Sequence, residues 1–213
     1  MGKEKCILDV CETSQQISVA IKKPSLRYLD GFVKLKCAPD LLAWGVFPNA
    51  KEITEAMAAW RAVRVNCRHW LKERTNCYVI GDGRTPRLGA LVACLSGWNV
   101  TSIDPIMHER FLHQTQIKRL LCCKKLAEEV FTKGMIWEKL PRAVILAVHS
   151  HAKLQPIWEW CLRMYKEVLC VAIPCCVPQE TGEDPAAEYA DWGIHSPKRT
   201  VKIWRHQNLW KGY

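Results

Sequence analysis

A glycine-rich loop that joins a short apolar run to a segment of small residues constrains the fold of this chain more than any other feature. The apolar run ends at Ile80, the loop continues through Gly81, Gly83 and Gly89, and small and apolar residues extend from there to Ser96. Glycine adopts backbone angles closed to other residues and lets the main chain approach a ligand closely. Because a strand, a glycine loop and a helix follow one another, the sequence predicts a Rossmann-like α/β unit.

An acidic residue stands where such a unit binds a ribose. Asp104 follows the β-prone run Asn99–Ile103, and a carboxylate at a strand tip can accept hydrogen bonds from both ribose hydroxyls while repelling a 2′-phosphate. We therefore expect an adenosine-type ligand rather than NADP. Arg84 and Arg87 are bulky for such a loop, and they are expected either to clamp a carboxylate of the cofactor or a phosphate of the substrate, or to pair with a nearby acid. The predicted cofactor-binding residues are Gly81, Asp82, Gly83, Arg84, Thr85, Pro86, Arg87, Gly89, Asp104 and Pro105.

Apolar runs and helical periodicity elsewhere in the chain extend this unit to a complete domain. The expected fold class is α/β, a Rossmann-like, doubly wound and mostly parallel sheet with a C-terminal antiparallel hairpin and an N-terminal extension. Residues 1–47 form the extension, irregular or hairpin-like and packed on the core, and residues 48–213 form the main domain. The predicted strands are Cys77–Ile80, Asn99–Ile103, Ile117–Cys123, Arg142–Val148 and Val168–Ile173, the predicted helices are 51–74, 88–96, 124–132 and 154–166, and the hairpin comprises 190–194 and 200–205.

Over roughly residues 50–213 the chain resembles the class I S-adenosylmethionine (SAM)-dependent methyltransferases. In that family the loop Gly81-Asp82-Gly83 and the acid at Asp104 form the SAM site, and a short final hairpin closes the sheet. The resemblance implies SAM as the cofactor. One departure is that the acid commonly found two positions before the first glycine falls on Val79. Either Asp82 takes over part of that role, or the cofactor binds weakly or not at all.

The fourth and fifth strands of the predicted sheet end in chemically active residues. His149 and His151 follow the fourth strand, and Cys175 and Cys176 follow the fifth. This pairing is similar to a methyltransferase subgroup that includes the tRNA acceptor-stem ribose methyltransferases, although the Cys-Gly that usually follows the histidine is missing here. The resemblance implies an RNA substrate. These four side chains are the predicted catalytic residues.

Three chemistries are open to these residues. An imidazole with a pKa near neutrality can act as general base for transfer to a ribose hydroxyl or a histidine. A cysteine after the fifth strand can add to cytosine before transfer to its C5 atom, but the Asp-Pro-Pro-Cys-type element of such enzymes is missing. Amino-group transfer usually uses Asn-Pro-Pro-Tyr, which does not occur either. The imidazole mechanism therefore ranks first.

The charge of the chain favours a polyanionic partner. The net charge is +10, from 31 Lys and Arg against 21 Asp and Glu, and clustered cations release counterions from nucleic-acid phosphates on binding. The predicted helix 51–74 carries a basic stripe that contacts RNA phosphates or is a solvated face. Its members are Arg61, Arg64, Arg68 and Lys72. Trp204 and Trp210 lie among basic residues near the C-terminus, where they either stack bases or pack onto the sheet.

The twelve cysteines do not form a recognisable metal or disulfide pattern. No Cys-x-x-Cys pair occurs, and the adjacent pairs Cys122-Cys123 and Cys175-Cys176 are expected to chelate one tetrahedral zinc poorly, so no metal site is predicted. The polar N-terminus is not a secretory signal, and no apolar run is long enough to span a bilayer. A reducing, intracellular compartment is therefore expected.

Together these features predict a SAM-dependent methyltransferase that acts on RNA, at a ribose hydroxyl or a base. Two rival hypotheses belong to other classes. A catalytically inactive methyltransferase-like module that binds RNA or a protein partner is consistent with Val79 and with the missing Cys-Gly. A nicotinamide-dependent reductase would require a second ligand-binding segment, which the sequence does not contain.

Overall fold

The computed structural model describes residues 25–114, 116–132 and 138–207, together with the backbone of 8–13 and 16–21. The strands are β1 (Leu8–Thr13), β2 (Gln16–Ile21), β3 (Asn76–Ile80), β4 (Asn99–Ile103), β5 (Leu120–Cys123), β6 (Arg142–Val148), β7 (Glu167–Ile173), β8 (Ala187–Ala190) and β9 (Thr200–Gln207). The helices are α1 (Arg27–Val33), α2 (Ala38–Ala43), α3 (Ala50–Asn66), α4 (Arg87–Leu95), α5 (Ala127–Thr132) and α6 (Leu154–Met164). None of the helices in these ranges is both long and apolar enough to cross a lipid bilayer.

A seven-stranded sheet in the order β5-β4-β3-β6-β7-β9-β8 organises the domain. The strands from β3 to β7 run parallel, whereas β9 is antiparallel to both β7 and β8. The strand order reverses between β3 and β6, which is where α/β sheets bind ligands at the carboxyl ends of their strands. The predicted fold class is confirmed: the protein is α/β, with a mostly parallel, Rossmann-like sheet and an antiparallel C-terminal hairpin.

Helices cover both faces of the central strands. In β3, Cys77 and Val79 face the core under α3 and α4, whereas Tyr78 and Ile80 face the core under α5 and α6. Such strands are apolar throughout because neither face meets water. Strand β6 fits this pattern after Arg142 and has the bounds that the sequence predicts. The bounds of β4 also agree with the prediction, although this strand contains the polar residues Asn99, Thr101 and Ser102.

Helix α3 crosses the sheet and contacts β6, β7 and β9. Asn49 caps its first turn by accepting a hydrogen bond from the Glu52 amide at 3.1 Å, and Trp60 and Val63 of its apolar stripe are buried. The helix ends at Asn66, short of the predicted bound, because Cys67 leaves the helical conformation and a 3₁₀ turn follows over Arg68–Lys72.

Two helices occupy most of residues 25–47, where the sequence predicts irregular or hairpin-like structure. Phe32, for example, lies in α1 and packs edge-on against Phe47. Pro39 stands in the first turn of α2, where its missing N–H costs nothing. The prediction misses these helices because both are short and prolines also mark loops. Strands β1 and β2, which precede these helices, pair with each other in an antiparallel hairpin.

Hydrogen bonds join helix α1 to the turn that follows β8. The Tyr28 hydroxyl and the Arg27 guanidinium both donate hydrogen bonds to the carboxylate of Asp191, which is buried. Burial raises the pKa of Tyr28 to about 12. Because Asp191 belongs to this turn, β8 ends at Ala190 rather than extending to 194.

Trp204 does not form an aromatic surface. It is 2 % exposed, and its indole N–H donates to the Glu183 carbonyl at 2.9 Å. The alternative of packing onto the sheet is therefore correct for Trp204. Trp210 lies outside the described residues.

Candidate functional site

The glycine loop after β3 has the left-handed backbone angles that its glycines permit, but other residues of the protein fill the space beside them. Gly81 and Gly83 have φ angles of 71° and 84°. A Cβ on Gly81 would lie 2.6 Å from the Ser150 hydroxyl and 2.9 Å from its Cα, and one on Gly83 would lie 2.6 Å from a nitrogen of Arg87. The loop after β6 therefore closes directly over the loop after β3.

Asp82 is oriented toward α4 and not toward a ligand. Its carboxylate accepts from the amides of Leu88 and Gly89, at 3.0 and 2.9 Å, and from the Ser102 hydroxyl at 2.7 Å. It is 3 % exposed, and burial raises its pKa. The carboxylate of Asp82 therefore caps the first turn of α4, and a contact between Asp82 and a cofactor stays a prediction.

Gly89 also has a structural role. A Cβ there would lie 2.9 Å from the Ser102 Cβ, so the glycine allows α4 to pack closely on β4, as the last glycine of such loops does. A contact between Gly89 and a ligand stays a prediction.

Asp104 lies at the tip of β4, as predicted, and its carboxylate orders the neighbouring loops. One oxygen accepts from the Gly83 amide and the other from the Ile106 amide, each at 2.8 Å. The residue is 7 % exposed. Each carboxylate oxygen has two lone pairs, so both retain acceptor capacity toward a ligand. Pro105 follows in an exposed turn.

The remainder of the loop connects to the segment before α3. The Thr85 hydroxyl donates to the Val46 carbonyl at 2.6 Å, which uses the polar group of this predicted ligand residue. Pro86 is the residue that precedes the first turn of α4. The arginines diverge: Arg84 is exposed, and its side chain has no hydrogen bond or ion pair within the described ranges, whereas Arg87 is paired.

Arg87 forms a half-buried ion pair with Glu52. Its Nε lies 2.9 Å from the Glu52 carboxylate, and both side chains are 18 % exposed. A cavity of about 10 Å³ beside the pair is lined by Glu52, Glu55, Val79, Gly81 and Arg87, among others. That volume accommodates about one water molecule. The carboxylate missing at Val79 is thus supplied to the same place by α3.

A larger cavity of about 340 Å³ adjoins the glycine loop and shares Glu52 and Arg87 with the small one. Arg84, His108 and Arg110 supply further cationic or polar groups, and Phe111 forms an apolar wall. The volume falls in the range of roughly 300–1,000 Å³ that is usual for ligand pockets. Three guanidinium groups around it favour an anionic ligand group such as a carboxylate or phosphate.

His149 forms a carboxylate–imidazole pair with Glu55 of α3. Its Nε2 lies 3.0 Å from Oε1 of Glu55, and the side chains are 17 % and 3 % exposed. The two atoms are at ion-pair distance without the alignment of a hydrogen bond. Glu55 stabilises the imidazolium and raises the pKa of His149 above its ordinary value, against the effect of burial. Burial opposes ionisation of Glu55, but His149 and Lys51 outweigh it and lower its pKa.

The other predicted catalytic residues form a separate cluster at the ends of β6 and β7. Nε2 of His151 lies 3.3 Å from Sγ of Cys176, and the two cysteine sulfurs are 3.6 Å apart. The Cys175 thiol donates to the His149 carbonyl at 3.7 Å. Partial burial opposes ionisation of Cys175, but the amides of Cys176 and Val177 and the side chains of Cys176 and His151 outweigh it and lower its pKa to about 6.

The two adjacent cysteine pairs differ in geometry. Cys175 and Cys176 lie in a turn after β7, and their sulfurs are 3.6 Å apart. Cys122 and Cys123 face opposite sides of β5, in different cores. That pair therefore has the unfavourable geometry that the sequence predicts.

The basic stripe of α3 borders a groove of about 510 Å³ that Tyr28, Trp60, Arg61, Arg64 and Arg68 line. All three arginines are exposed. Arg61 lies 3.9 Å from the Asp191 carboxylate, so its charge is partly compensated. Lys72 is exposed in the 3₁₀ turn beyond the helix and does not line the groove.

Three functional residues are missing from the sequence-based prediction: Glu52, Glu55 and Ser150. Glu55 is 2 % exposed and stands among the buried alanines of α3. An acid within an apolar helix face indicates a buried partner, and this signal was available in the sequence. Ser150 has no comparable signal, because its role depends on how closely two loops approach.

No protein-family model and no curated protein sequence matches this chain. Among solved structures, a mutant of MtNAS in complex with S-adenosylmethionine is similar over 85 % of this chain and 70 % of its own, with a TM-score of 0.53 and 9 % identity. MtNAS in complex with MTA and tNA is similar over 85 % of this chain and 69 % of its own, with a TM-score of 0.51 and 9 % identity. At these identities the similarity establishes a shared fold.

Proposed function

We propose that this protein is a SAM-dependent methyltransferase. The observation that carries the proposal is the glycine loop with Asp104 beside it, at the carboxyl edge of the sheet where the strand order reverses. A cofactor at this edge is the general rule for open α/β sheets. The similar fold of MtNAS, whose mutant is described in complex with S-adenosylmethionine, supports the choice of ligand.

The residues at the loop match the chemistry of SAM. The Asp104 carboxylate would accept the ribose hydroxyls. The methionine end carries an ammonium and a carboxylate, and Glu52 and Arg87 are a carboxylate and a guanidinium that now neutralise each other at 2.9 Å. SAM would replace each partner of this ion pair with a group of the same charge.

SAM can bind in this way only if the cavity beside the ion pair is large enough to hold it. The cavity of about 10 Å³ does not admit SAM, but Arg87 and Glu52 also line the cavity of about 340 Å³ next to it. The group that overlaps the Gly83 position is the far end of the Arg87 side chain. A change of Arg87 rotamer would clear the position next to Gly83, whereas access next to Gly81 would also require the loop that carries Ser150 to move.

His149 is the proposed general base. When bound, SAM supplies an electrophilic methyl group on its sulfonium. Neutral His149 would take a proton from the nucleophile. Glu55, whose Oε1 lies 3.0 Å from Nε2 of His149, would then stabilise the resulting imidazolium. The buried carboxylate thus orients the ring. Cys175 and Cys176 lie at the same edge but pair with His151.

RNA is the proposed substrate. Support comes from the net charge of +10 and from the groove along α3, where Arg64 and Arg68 are exposed beside Trp60 and Tyr28. Arginines beside aromatic rings suit phosphates and stacked bases. The cavity with Arg84 and Arg110 offers a second place for a phosphate.

A methyltransferase-like module without catalysis is the second candidate. The specific observation in its favour is that Ser150 and Arg87 fill the positions next to Gly81 and Gly83. Such a module would use the α3 groove to bind RNA or a protein partner while leaving the loop closed.

Incubation with tritium-labelled SAM and total RNA from the host tests the proposal. We expect label in RNA, and nucleoside digestion would then identify the methylated atom. His149→Asn is the informative variant, because asparagine tolerates the positive φ of 52° at this position. It should lose methyl transfer while Arg163→Ala, an exposed cation on α6, should not. If the RNA binds to the protein but acquires no tritium label, the inactive module is favoured.

A further inference from the structure

The ends of β6 and β7 bring together one imidazole and two thiols in a geometry that the proposed methyl transfer does not use. His151 follows β6, and Cys175 and Cys176 follow β7. Their three potential donor atoms, Nε2 and two Sγ, lie within 4.8 Å of one another. Within the described ranges, no other group of three or more His, Cys, Asp or Glu side chains has its potential donor atoms so close together.

The distances in this cluster agree with the edges of a tetrahedral zinc site. Bond lengths of about 2.3 Å to sulfur and 2.0–2.1 Å to nitrogen place two sulfurs about 3.8 Å apart and a sulfur and a nitrogen about 3.5 Å apart. The observed separations are 3.6 Å between Cys175 and Cys176 and 3.3 Å between Cys176 and His151. The third separation, between Sγ of Cys175 and Nε2 of His151, is no more than 4.8 Å.

The loops that carry the three side chains are fixed to each other. Gln179, which is buried in the segment after β7, donates from its side-chain amide to the Ser150 carbonyl at 2.7 Å. The backbone N–H of His149 donates to the Ile173 carbonyl at 2.8 Å. The donor atoms are therefore brought together before any ion binds. This reduces the conformational entropy that binding would otherwise cost.

We propose that His151, Cys175 and Cys176 bind one Zn²⁺ ion. One imidazole and two thiolates form a donor set that suits zinc and other soft or borderline metals better than Mg²⁺ or Ca²⁺. His151 and Cys176 are exposed, so the ion has a direct path from solvent. This inference does not depend on SAM binding.

The site leaves one coordination position for a ligand from solution. Three protein donors in the described part of the chain complete three corners of a tetrahedron, and an open fourth position distinguishes catalytic zinc sites from structural ones. A water or a substrate hydroxyl bound there would lose its proton more readily. Cys175 and Cys176 then act as zinc ligands and not as nucleophiles.

Cobalt substitution tests the site. Reduced protein, freed of metal by a chelator and titrated with Co²⁺, should develop the thiolate-to-cobalt absorption and a tetrahedral visible spectrum at one equivalent per chain. Zn²⁺ should then displace the cobalt. Cys175→Ser, Cys176→Ser and His151→Gln should each weaken metal binding by more than about 100-fold, because altering even an outer partner of a ligand costs 10–100-fold.

Cys94→Ser is the matched control, since Cys94 is an exposed thiol on α4. It should bind cobalt like the unaltered protein, and circular dichroism should show that all four variants are folded. The proposal is overturned if the reduced protein gives no thiolate–cobalt absorption. It is equally overturned if Cys94→Ser loses the metal to the same extent as Cys176→Ser, because zinc would then bind to thiols at large.

Discussion

Nε2 of His149 lies 3.0 Å from the buried carboxylate of Glu55, which joins the loop after β6 to the first turns of α3. One helical turn earlier, Glu52 pairs with Arg87 of the glycine loop at 2.9 Å. Helix α3 therefore supplies a carboxylate to each half of the candidate site.

Replacing Glu55 by glutamine should lower the pKa of His149. The carboxylate is the main cause of the raised pKa, whereas burial acts in the opposite direction and remains in the variant. NMR titration of the imidazole measures the change directly, with Glu159→Gln on the exposed face of α6 as control. An unchanged His149 pKa in Glu55→Gln would contradict the pairing.

The same pair sets the pH dependence of activity and of stability. A general base must be neutral, so activity should rise as pH passes the raised pKa of His149, and Glu55→Gln should move this limb to lower pH. Stability should change in the opposite direction. The imidazolium of His149 stabilises the folded protein fully below the unfolded-state pKa of about 6.5, and this stabilisation is lost as pH rises through the higher pKa of the folded state. Urea unfolding at several pH values should show this loss in the unaltered protein and not in Glu55→Gln.

The sequence predicts the fold well where burial on both faces determines the residue types. The bounds of β6 agree with prediction for that reason, and those of β4 agree because its Val, Thr and Ile residues favour strands. The position of Asp104 was also predictable, because it depends on the order of strand, loop and strand. Local patterns were sufficient for both.

The rest of the site depends on contacts between distant segments. The partner of His149 is a residue of α3, and the partner of Gly81 is Ser150; neither pairing leaves a local pattern. The convergence of Cys175 and Cys176 depends on side-chain torsions in a turn. The capping role of Asp82 was not predictable either, because a carboxylate in a glycine loop can cap the following helix as readily as it can contact a ligand.

Gly81→Ala should destabilise the protein more than Gly182→Ala. Both glycines have positive φ, at 71° and 83°, so each alanine incurs about 1–2 kcal/mol of backbone strain. Only at Gly81 does the new Cβ overlap a neighbouring Cα, that of Ser150 at 2.9 Å; at Gly182 the nearest atom is the amide end of Gln155 at 3.2 Å. Overpacking should add about 1–3 kcal/mol at Gly81.

Chemical denaturation of the two glycine variants measures this difference. Equal losses in the free energy of unfolding would mean that the loop after β6 does not close over Gly81. That outcome would also imply more room for a ligand at the glycine loop than the structure shows.

Removing two arginines from the α3 groove should weaken RNA binding in a salt-dependent manner. Arg64 and Arg68 are exposed beside Trp60, and each phosphate contact with a single strand contributes about 0.7 to the slope of log K against log salt. The double variant Arg64→Ala with Arg68→Ala should lower the slope accordingly in fluorescence anisotropy. Arg163→Ala should leave it unchanged, and an equal effect of both would mean that only net charge matters.

The central claim is that SAM binds at the glycine loop, and isothermal titration of SAM into the purified protein tests it most directly. We expect binding with a micromolar Kd, a loss of at least about tenfold in Asp104→Asn, equivalent to about 1.4 kcal/mol, and unchanged affinity in Asp40→Asn on the exposed face of α2. Absence of binding heat at millimolar SAM, or equal affinity in Asp104→Asn and the unaltered protein, would contradict the claim.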